Sequence, residues 1–202
     1  TIEAGCILEK LQQIAEDKGL FFPRNVGAKG SCMIGGNLAT NAGGQNVVRY
    51  GNTRELCLGV EAVFSDGRVM NLLSGLRKDN TGYDLRDLLI GSEGTLAIIT
   101  AATMKLFHLP EARSATLAII PDIDTGLELL NRVQAHTGGA VEAFELIPRV
   151  FLELVKKHAP QFHIPFPQIP ELCVLIEIAP TNPQNSNNSE AIDNNAKEQL
   201  EN

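Results

Sequence analysis

The sequence predicts an α+β protein built as two successive parts, and three observations predict it. An amphipathic segment and a hairpin pattern bracket a glycine-rich stretch in the first half. From about residue 116 onward, apolar runs and amphipathic runs alternate as strand, helix, strand, helix, strand. A hydrophobic content of 44% with 20% charged residues provides enough apolar surface for packed layers. The pattern changes around Pro110–Arg113, so the boundary is expected near residue 112, dividing the chain into 1–111 and 112–202.

Residues 3–18 are expected to be helical, with Ile7, Leu8, Leu11, Ile14 and Ala15 on one face. Lys18-Gly19 supplies a C-terminal charge and a glycine stop. Leu20-Phe21-Phe22-Pro23 then continues in extended form. Residues 58–73 read as a hairpin around Asp66-Gly67, a type I′ signal. Lys78–Gly82 is a polar turn. Tyr83–Leu89 is a short helix expected to carry Leu85, Leu88 and Leu89 inward. Gly91–Thr95 is a tight glycine turn, and Leu96–Leu106 is a strand rich in Ile and Thr.

In the second part, Thr116–Ile120 is a strand. Ile123–His136 is a helix with Leu127, Leu130 and Val133 on its apolar face, closed by Gly138-Gly139. Val141–Ile147 is a strand, and Pro148 opens a helix to His158. Residues 159–170 hold four prolines and read as a loop; Leu172–Ile178 is an apolar strand. Residues 181–189 read as a flexible loop and Glu190–Leu200 as a weak helix start. A chain that begins on Thr1 and offers no closing strand is expected to be a piece of a longer protein.

Residues 27–51, GAKGSCMIGGNLATNAGGQNVVRYG, hold seven of the eighteen glycines, with pairs at Gly35-Gly36 and Gly43-Gly44. Glycine costs conformational entropy, so such density implies tight turns or close approach of backbone N–H groups to a ligand. Phosphate suits the second reading, because successive N–H groups form a positive nest. The stretch has no GxxxxGK[ST] and no GxGxxG opening a helix, so neither a P-loop nor a Rossmann unit is expected. Asn37 and Asn41 carry donors and acceptors for ring edges or ribose; Asx turns are the alternative.

A net charge of −7 argues against nucleic acid as a partner. No apolar run reaches 18 residues, so no membrane span is expected. Cys6, Cys32, Cys57 and Cys173 are widely spaced and read as buried free thiols in a reducing compartment. His108, His136, His158 and His163 lack ligand spacing, so no metal site is expected.

Three ordered segments then resemble a known family. GSCMIGGNLATNAGG, RYGNTREL and SGLRKDNTGYDLRDLLIGSEGTLAIIT look like the flavin domain of the vanillyl-alcohol-oxidase-type (PCMH-type) FAD enzymes. Within that family the resemblance is to the D-2-hydroxyacid dehydrogenase branch, which includes D-2-hydroxyglutarate dehydrogenase, D-lactate dehydrogenase and the glycolate oxidase D subunit. It runs through about residues 3–107, and more weakly through Ala140–Leu146.

The resemblance implies the C-terminal part of an FAD-binding domain followed by the start of a ferredoxin-like substrate cap. It implies FAD as cofactor. Pro23 and Gly27 would lie on the approach to the pyrophosphate. Ser31, Cys32, Ile34, Gly35 and Gly36 would form the pyrophosphate and flavin-side loop, and Asn41, Ala42, Gly43 and Gly44 the next loop. Glu93 and Gly94 would form the SEGT turn, with Ile98 and Ile99 on the strand beside the adenine. Family members usually carry Gly where this chain has Ala97, and a less basic pair where it has Arg24-Asn25. Arg24 is a candidate phosphate contact, with a solvated loop arginine as the expected reading. Glu93 is expected to be structural or cofactor-side, not a general base.

The implied reaction is oxidation of a D-2-hydroxy acid to the 2-oxo acid, with hydride passing to flavin N5. The family's histidine-containing HxGDGNxH-like motif is absent, so no catalytic residue is expected in this chain, which would be inactive alone. A quinone, an electron-transfer flavoprotein or a cytochrome would take the electrons. A homodimer is a further expectation, with the mitochondrial matrix or a bacterial cytoplasm as location. The alternatives are a non-catalytic module that keeps the fold, or another enzyme of the superfamily such as an alkylglycerone-phosphate synthase or a sugar-lactone oxidase.

Overall fold

The computed structural model describes residues 1–180, so the loop and helix start expected within 181–202 lie outside the described residues. The chain separates into two compact units, Thr1–Leu109 and Pro110–Asn202.

The first unit starts with a strand rather than a helix. β1 (Ile2–Glu3) pairs antiparallel with β5 (Ile98–Met104) through Ile2↔Ala102. The helix predicted from residue 3 begins later, as α1 (Leu8–Glu16), because the backbone of Glu3 and Ala4 is engaged with β5. Leu8, Leu11 and Ala15 are buried, whereas Ile14 is 45% exposed. Gly19 lies at φ +67°, as a helix stop requires. β2 (Leu20–Phe21) pairs with β6 (Phe107–His108). The rings of Phe21 and Phe107 flank Tyr50 edge-on at 6.1 and 4.9 Å, which ties α3 (Val47–Tyr50) to that ribbon.

The hairpin is β3 (Cys57–Val63) and β4 (Val69–Leu72). Its turn differs from type I′. Only Gly67 has positive φ, the Gly67 N–H donates to Phe64 O, and the Phe64 N–H donates to Arg68 O. That is a three-residue loop with a left-handed glycine, which leaves Asp66 free to accept from the Arg68 amide. The sheet order is β1-β5-β3-β4. α2 (Ile34–Ala39) and α4 (Leu85–Leu89) complete the unit. Leu89 points inward, but Leu85 and Leu88 are 41% and 59% exposed. A five-residue helix presents too narrow a face to bury all three. Leu8, Phe22, Ile34, Leu38, Leu56 and Ile90 form the centre of the core, each worth about 1.5–3 kcal/mol of burial.

The second unit runs β7 (Ser114–Ile119), α5 (Ile123–Thr137), β8 (Val141–Pro148), α6 (Arg149–His158) and β9 (Leu172–Ile178). Its sheet order is β7-β9-β8, so β7 and β8 lie parallel with β9 inserted between them. This is the split βαβ arrangement of a ferredoxin-like unit. The Asp122 carboxylate caps α5 by accepting from the Thr125 N–H at 2.8 Å, and Gly138 closes the helix at φ +61°. Leu127 is 56% exposed, because Gly126 takes the inner position against Ile120. Pro148 sits at the N-cap of α6, one residue before the helical turn predicted for it.

Two outcomes follow. A Cβ at Gly59 would run into Leu72 O and come within 2.5 Å of Ser74 N, so Gly59→Ala should lose about 2 kcal/mol or more in chemical unfolding. The bond from Thr125 holds Asp122 below the usual carboxylate range. A depressed folded pKa contributes stability above the unfolded value of about 3.9 and loses it as pH falls further. Asp122→Ala should therefore melt below wild type at pH 7, and the gap should close in acid.

Candidate functional site

The short helix α2 is fixed at both ends by other segments. At its start, the Ile34 N–H donates to Cys6 O at 3.0 Å and the Gly35 N–H to Ala4 O at 2.8 Å. At its end, Leu38 O accepts from the Gly91 N–H at 3.0 Å and Ala39 O from the Glu93 N–H at 2.9 Å. The glycine-rich stretch and the Gly91–Thr95 turn thereby meet at one place. The turn needs left-handed backbone at Gly91 (φ +85°), Glu93 (+52°) and Gly94 (+76°). The Glu93 carboxylate faces outward while its amide holds the helix.

Along this junction lies an open, largely apolar depression of about 370 Å³. Among the predicted residues, Gly35, Gly36, Gly94, Ile98 and Ile99 line it together. Ala4, Gly5, Met33 and Ala97 also line it. Met33 and Ile98, 51% and 62% exposed, give the depression part of its apolar lining. Ala97, where the resemblance implies Gly, is buried beneath the depression and causes no break in the turn. Ala4 and Gly5 were missed in the sequence. Their signal was two small residues between a strand and a helix, easily absorbed into a helix that starts too early.

The glycines within the pairs do different work. A Cβ on Gly35 would come within 2.7 Å of the Ala4 Cβ, and one on Gly44 would strike the Asn25 carbonyl oxygen. Those two glycines permit close packing inside the protein. A Cβ on Gly36 would meet nothing within 4 Å, and the same holds for Gly27. Gly36 faces open space beside the depression, where a bare backbone suits a flat ring.

The other predicted residues lie on the flanks or behind. Pro23 is buried; Gly27 and Ser31 are exposed, with the Ser31 hydroxyl donating to Ala28 O at 3.3 Å. Ile34 is fully buried beneath the wall. Asn37 is buried too, its amide donating to the Cys32 Sγ at 3.6 Å. Asn41 adopts φ +44°, and its Oδ1 accepts from the Arg54 N–H at 3.0 Å. Ala42, Gly43 and Gly44 form the loop behind α2, where the Ala42 carbonyl accepts from the Thr53 N–H and, at 2.7 Å, from its hydroxyl.

Arg24 departs most from expectation. It is 5% exposed rather than solvated. Its guanidinium donates to the Ala42 carbonyl, to Thr53 Oγ1 at 2.6 Å and, at 3.5 Å, to Asn37 Oδ1. Burial lowers its pKa.

Cys6, Cys32, Cys57 and Cys173 are free, and burial raises the Cys57 thiol to about 11. Among the described residues no three His, Cys, Asp or Glu side chains are grouped to hold a metal. Among them also, no helix is long and apolar enough to cross a membrane.

Residues 1–73 match the FAD binding domain family. The chain is 44% identical, over 90% of its length, to the mitochondrial D-2-hydroxyglutarate dehydrogenase of Bos taurus, and covers 33% of that protein. The chain carries part of an FAD binding domain. It is also 41% identical, over 89% of its length, to a D-2-hydroxyglutarate dehydrogenase of Xanthomonas citri pv. viticola, covering 37% of it. It thus spans about a third of the length of these relatives. Among solved structures it is similar to an alkyldihydroxyacetonephosphate synthase, with a TM-score of 0.66 over 88% of this chain and 34% of that one. At 20% identity that likeness shows the fold.

The residues present fit the family's cofactor. FAD offers flat rings and an anionic linker. The depression offers a bare Gly36 face, apolar cover from Met33 and Ile98, and backbone turns at Gly91–Gly94.

A paired substitution separates the two kinds of glycine. Gly36→Val should leave the melting temperature within a few degrees of wild type yet weaken FAD binding, followed by flavin fluorescence. Gly44→Ala should lower the melting temperature itself, because its clash is with backbone.

Proposed function

We propose that this chain forms one wall of the FAD site of an oxidoreductase that converts a D-2-hydroxy acid of the 2-hydroxyglutarate, lactate or glycolate class to its 2-oxo acid. One observation carries the reading. Residues from two distant segments, Gly35-Gly36 and Gly94–Ile99, line a single apolar depression. They do so in a chain 44% identical to a D-2-hydroxyglutarate dehydrogenase.

When bound, FAD supplies the acceptor for the hydride that leaves the substrate α-carbon. The protein's own contribution here is binding, orientation and exclusion of water. Gly36 admits a ring against backbone, and Met33 and Ile98 cover it and keep solvent away. The Gly91–Gly94 turn fixes α2, so the wall does not need to reorganise when the cofactor arrives. Pro23, Gly27, Ser31, Cys32 and the Asn41–Gly44 loop are proposed to flank the dinucleotide. Residues 1–111 are read as the C-terminal part of an FAD-binding domain and 112–202 as the start of a substrate cap. We assign no catalytic base and no metal ligand to this chain. The proposed electron acceptor is a quinone, an electron-transfer flavoprotein or a cytochrome. The whole protein is read as a homodimer of the mitochondrial matrix or of a bacterial cytoplasm.

The test uses the protein at its full natural length. It should purify with, or take up, stoichiometric FAD. Anaerobic addition of D-2-hydroxyglutarate, D-lactate or glycolate should bleach the flavin absorbance, with one acid far faster than the others. A protein that takes up no FAD, or whose flavin none of the three acids reduces, would overturn the proposal.

A further inference from the structure

Arg24 is a buried cation, and among the described residues no carboxylate bonds it. Its partners are dipoles: the Ala42 carbonyl, the Thr53 hydroxyl and, at the edge of bonding distance, the Asn37 amide oxygen. Its Nε is buried with no partner. Dipoles can solvate a guanidinium but cannot neutralise it, so a net positive charge remains inside the unit. Arginine at this depth is expensive, and leucine-sized apolar residues would fill the space without that cost.

Two consequences of the geometry point the same way. First, residues 24 and 25 hold the loop by three hydrogen bonds and pack against its backbone at Gly44. Arg24 holds Ala42, a Gly44 Cβ would strike Asn25 O, the Gln45 N–H donates to Asn25 O at 3.0 Å, and the Asn25 amide donates to the Gln45 side chain at 2.6 Å. Second, the C=O and N–H of one trans peptide unit point in opposite directions. With the Ala42 carbonyl drawn toward Arg24, the N–H of the same peptide, that of Gly43, is turned away from it. Among the described residues this N–H donates to no protein group, and Gly43 is exposed. The buried cation thus joins the Thr53 N–H and hydroxyl in holding the Ala42 carbonyl, which turns an unpaired donor outward, and it alone among the three makes the surroundings positive.

We propose that Arg24 is a positioning residue for the anionic phosphates of the dinucleotide. It sets the Ala42–Gly44 loop and adds an uncompensated charge behind it. This rests on the FAD reading above, and deepens it by assigning the phosphate end to the side of α2 held by Arg24.

The experiment separates charge from fit. In the full-length apoprotein, FAD affinity is measured by quenching of flavin fluorescence, and ADP affinity by calorimetry. Arg24→Lys keeps the charge but not the fork of donors. Arg24→Gln keeps donors toward Ala42 and Thr53 but not the charge. Melting of each apoprotein checks folding, with Arg24→Met as a second charge-free variant if Arg24→Gln does not fold. The expected result is that the charge-free variant loses FAD and ADP affinity by on the order of tenfold, the scale of one charge acting at about 10 Å through protein. Arg24→Lys should recover most of it. Equal affinities in wild type and the charge-free variant, or Arg24→Lys binding no better than Arg24→Gln, would overturn the proposal while leaving the FAD reading intact. A wild type that binds neither FAD nor ADP would overturn the FAD reading itself.

Discussion

Everything at the candidate site depends on a helix too short to stand alone. α2 spans Ile34–Ala39 and contains two glycines, so its intrinsic propensity is poor and nucleation alone would defeat it. Four backbone hydrogen bonds to other segments hold it, two from its first amides to Ala4 and Cys6 and two onto its last carbonyls from Gly91 and Glu93. This arrangement dictates other residues. Ala4 and Gly35 must be small because their backbones bond directly, and Glu93 must accept a left-handed backbone to deliver its amide. The side chains beneath, Ile34 and Leu38, are fully buried and lock the helix against the sheet. The exposed face is left nearly bare, as suits a surface meant for something flat.

Strain is stored at the same junction. Asn41 and Glu93 are the described non-glycine residues at positive φ, and both sit at the seams around α2. Each costs of order 1 kcal/mol or more unless local bonds compensate. Asn41 is compensated, its side chain accepting from the Arg54 amide while Arg54 donates to Ile90 O at 2.5 Å. Glu93 is compensated only through its backbone bond to Ala39. A glycine there would be easier for the chain.

Much of this was legible in the residues, and the rest was not for definable reasons. Strands with strong alternation or unbroken apolar runs, such as Cys57–Val63 and Leu172–Ile178, announce themselves because burial sets their pattern. Glycines at Gly19, Gly67, Gly94 and Gly138 mark turns because only they take positive φ cheaply. β1 was hidden because two residues carry no periodicity; only the distant partner, Ala101-Ala102, makes them a strand. Leu85, Leu88 and Leu127 were misread as inward because spacing gives a face but not what covers it. Within the site, the residue types of the wall were readable, but not which glycine faces protein and which faces open space. That distinction lies in contacts with Ala4 and Asn25, remote in sequence from Gly35 and Gly44.

The two units bury charge in opposite ways, and the contrast bears on what each charge is for. In the second unit Glu142 sits at the β-bulge between Val141 and Ala143, 1% exposed, and bonds the Arg113 guanidinium at 3.0 Å. Its charge is met by an opposite one, which is what a buried carboxylate needs if its role is to hold a bulge in place. Arg24, 5% exposed, meets only dipoles among the described residues. A fold that needed merely to fasten Ala42 could do so with a neutral donor at lower cost. The guanidinium adds a field that extends past its hydrogen bonds, and a field is useful only to something not yet in place. The surface it reaches through a hydrogen bond is the Ala42–Gly44 loop, where the proposed dinucleotide phosphates would meet that field.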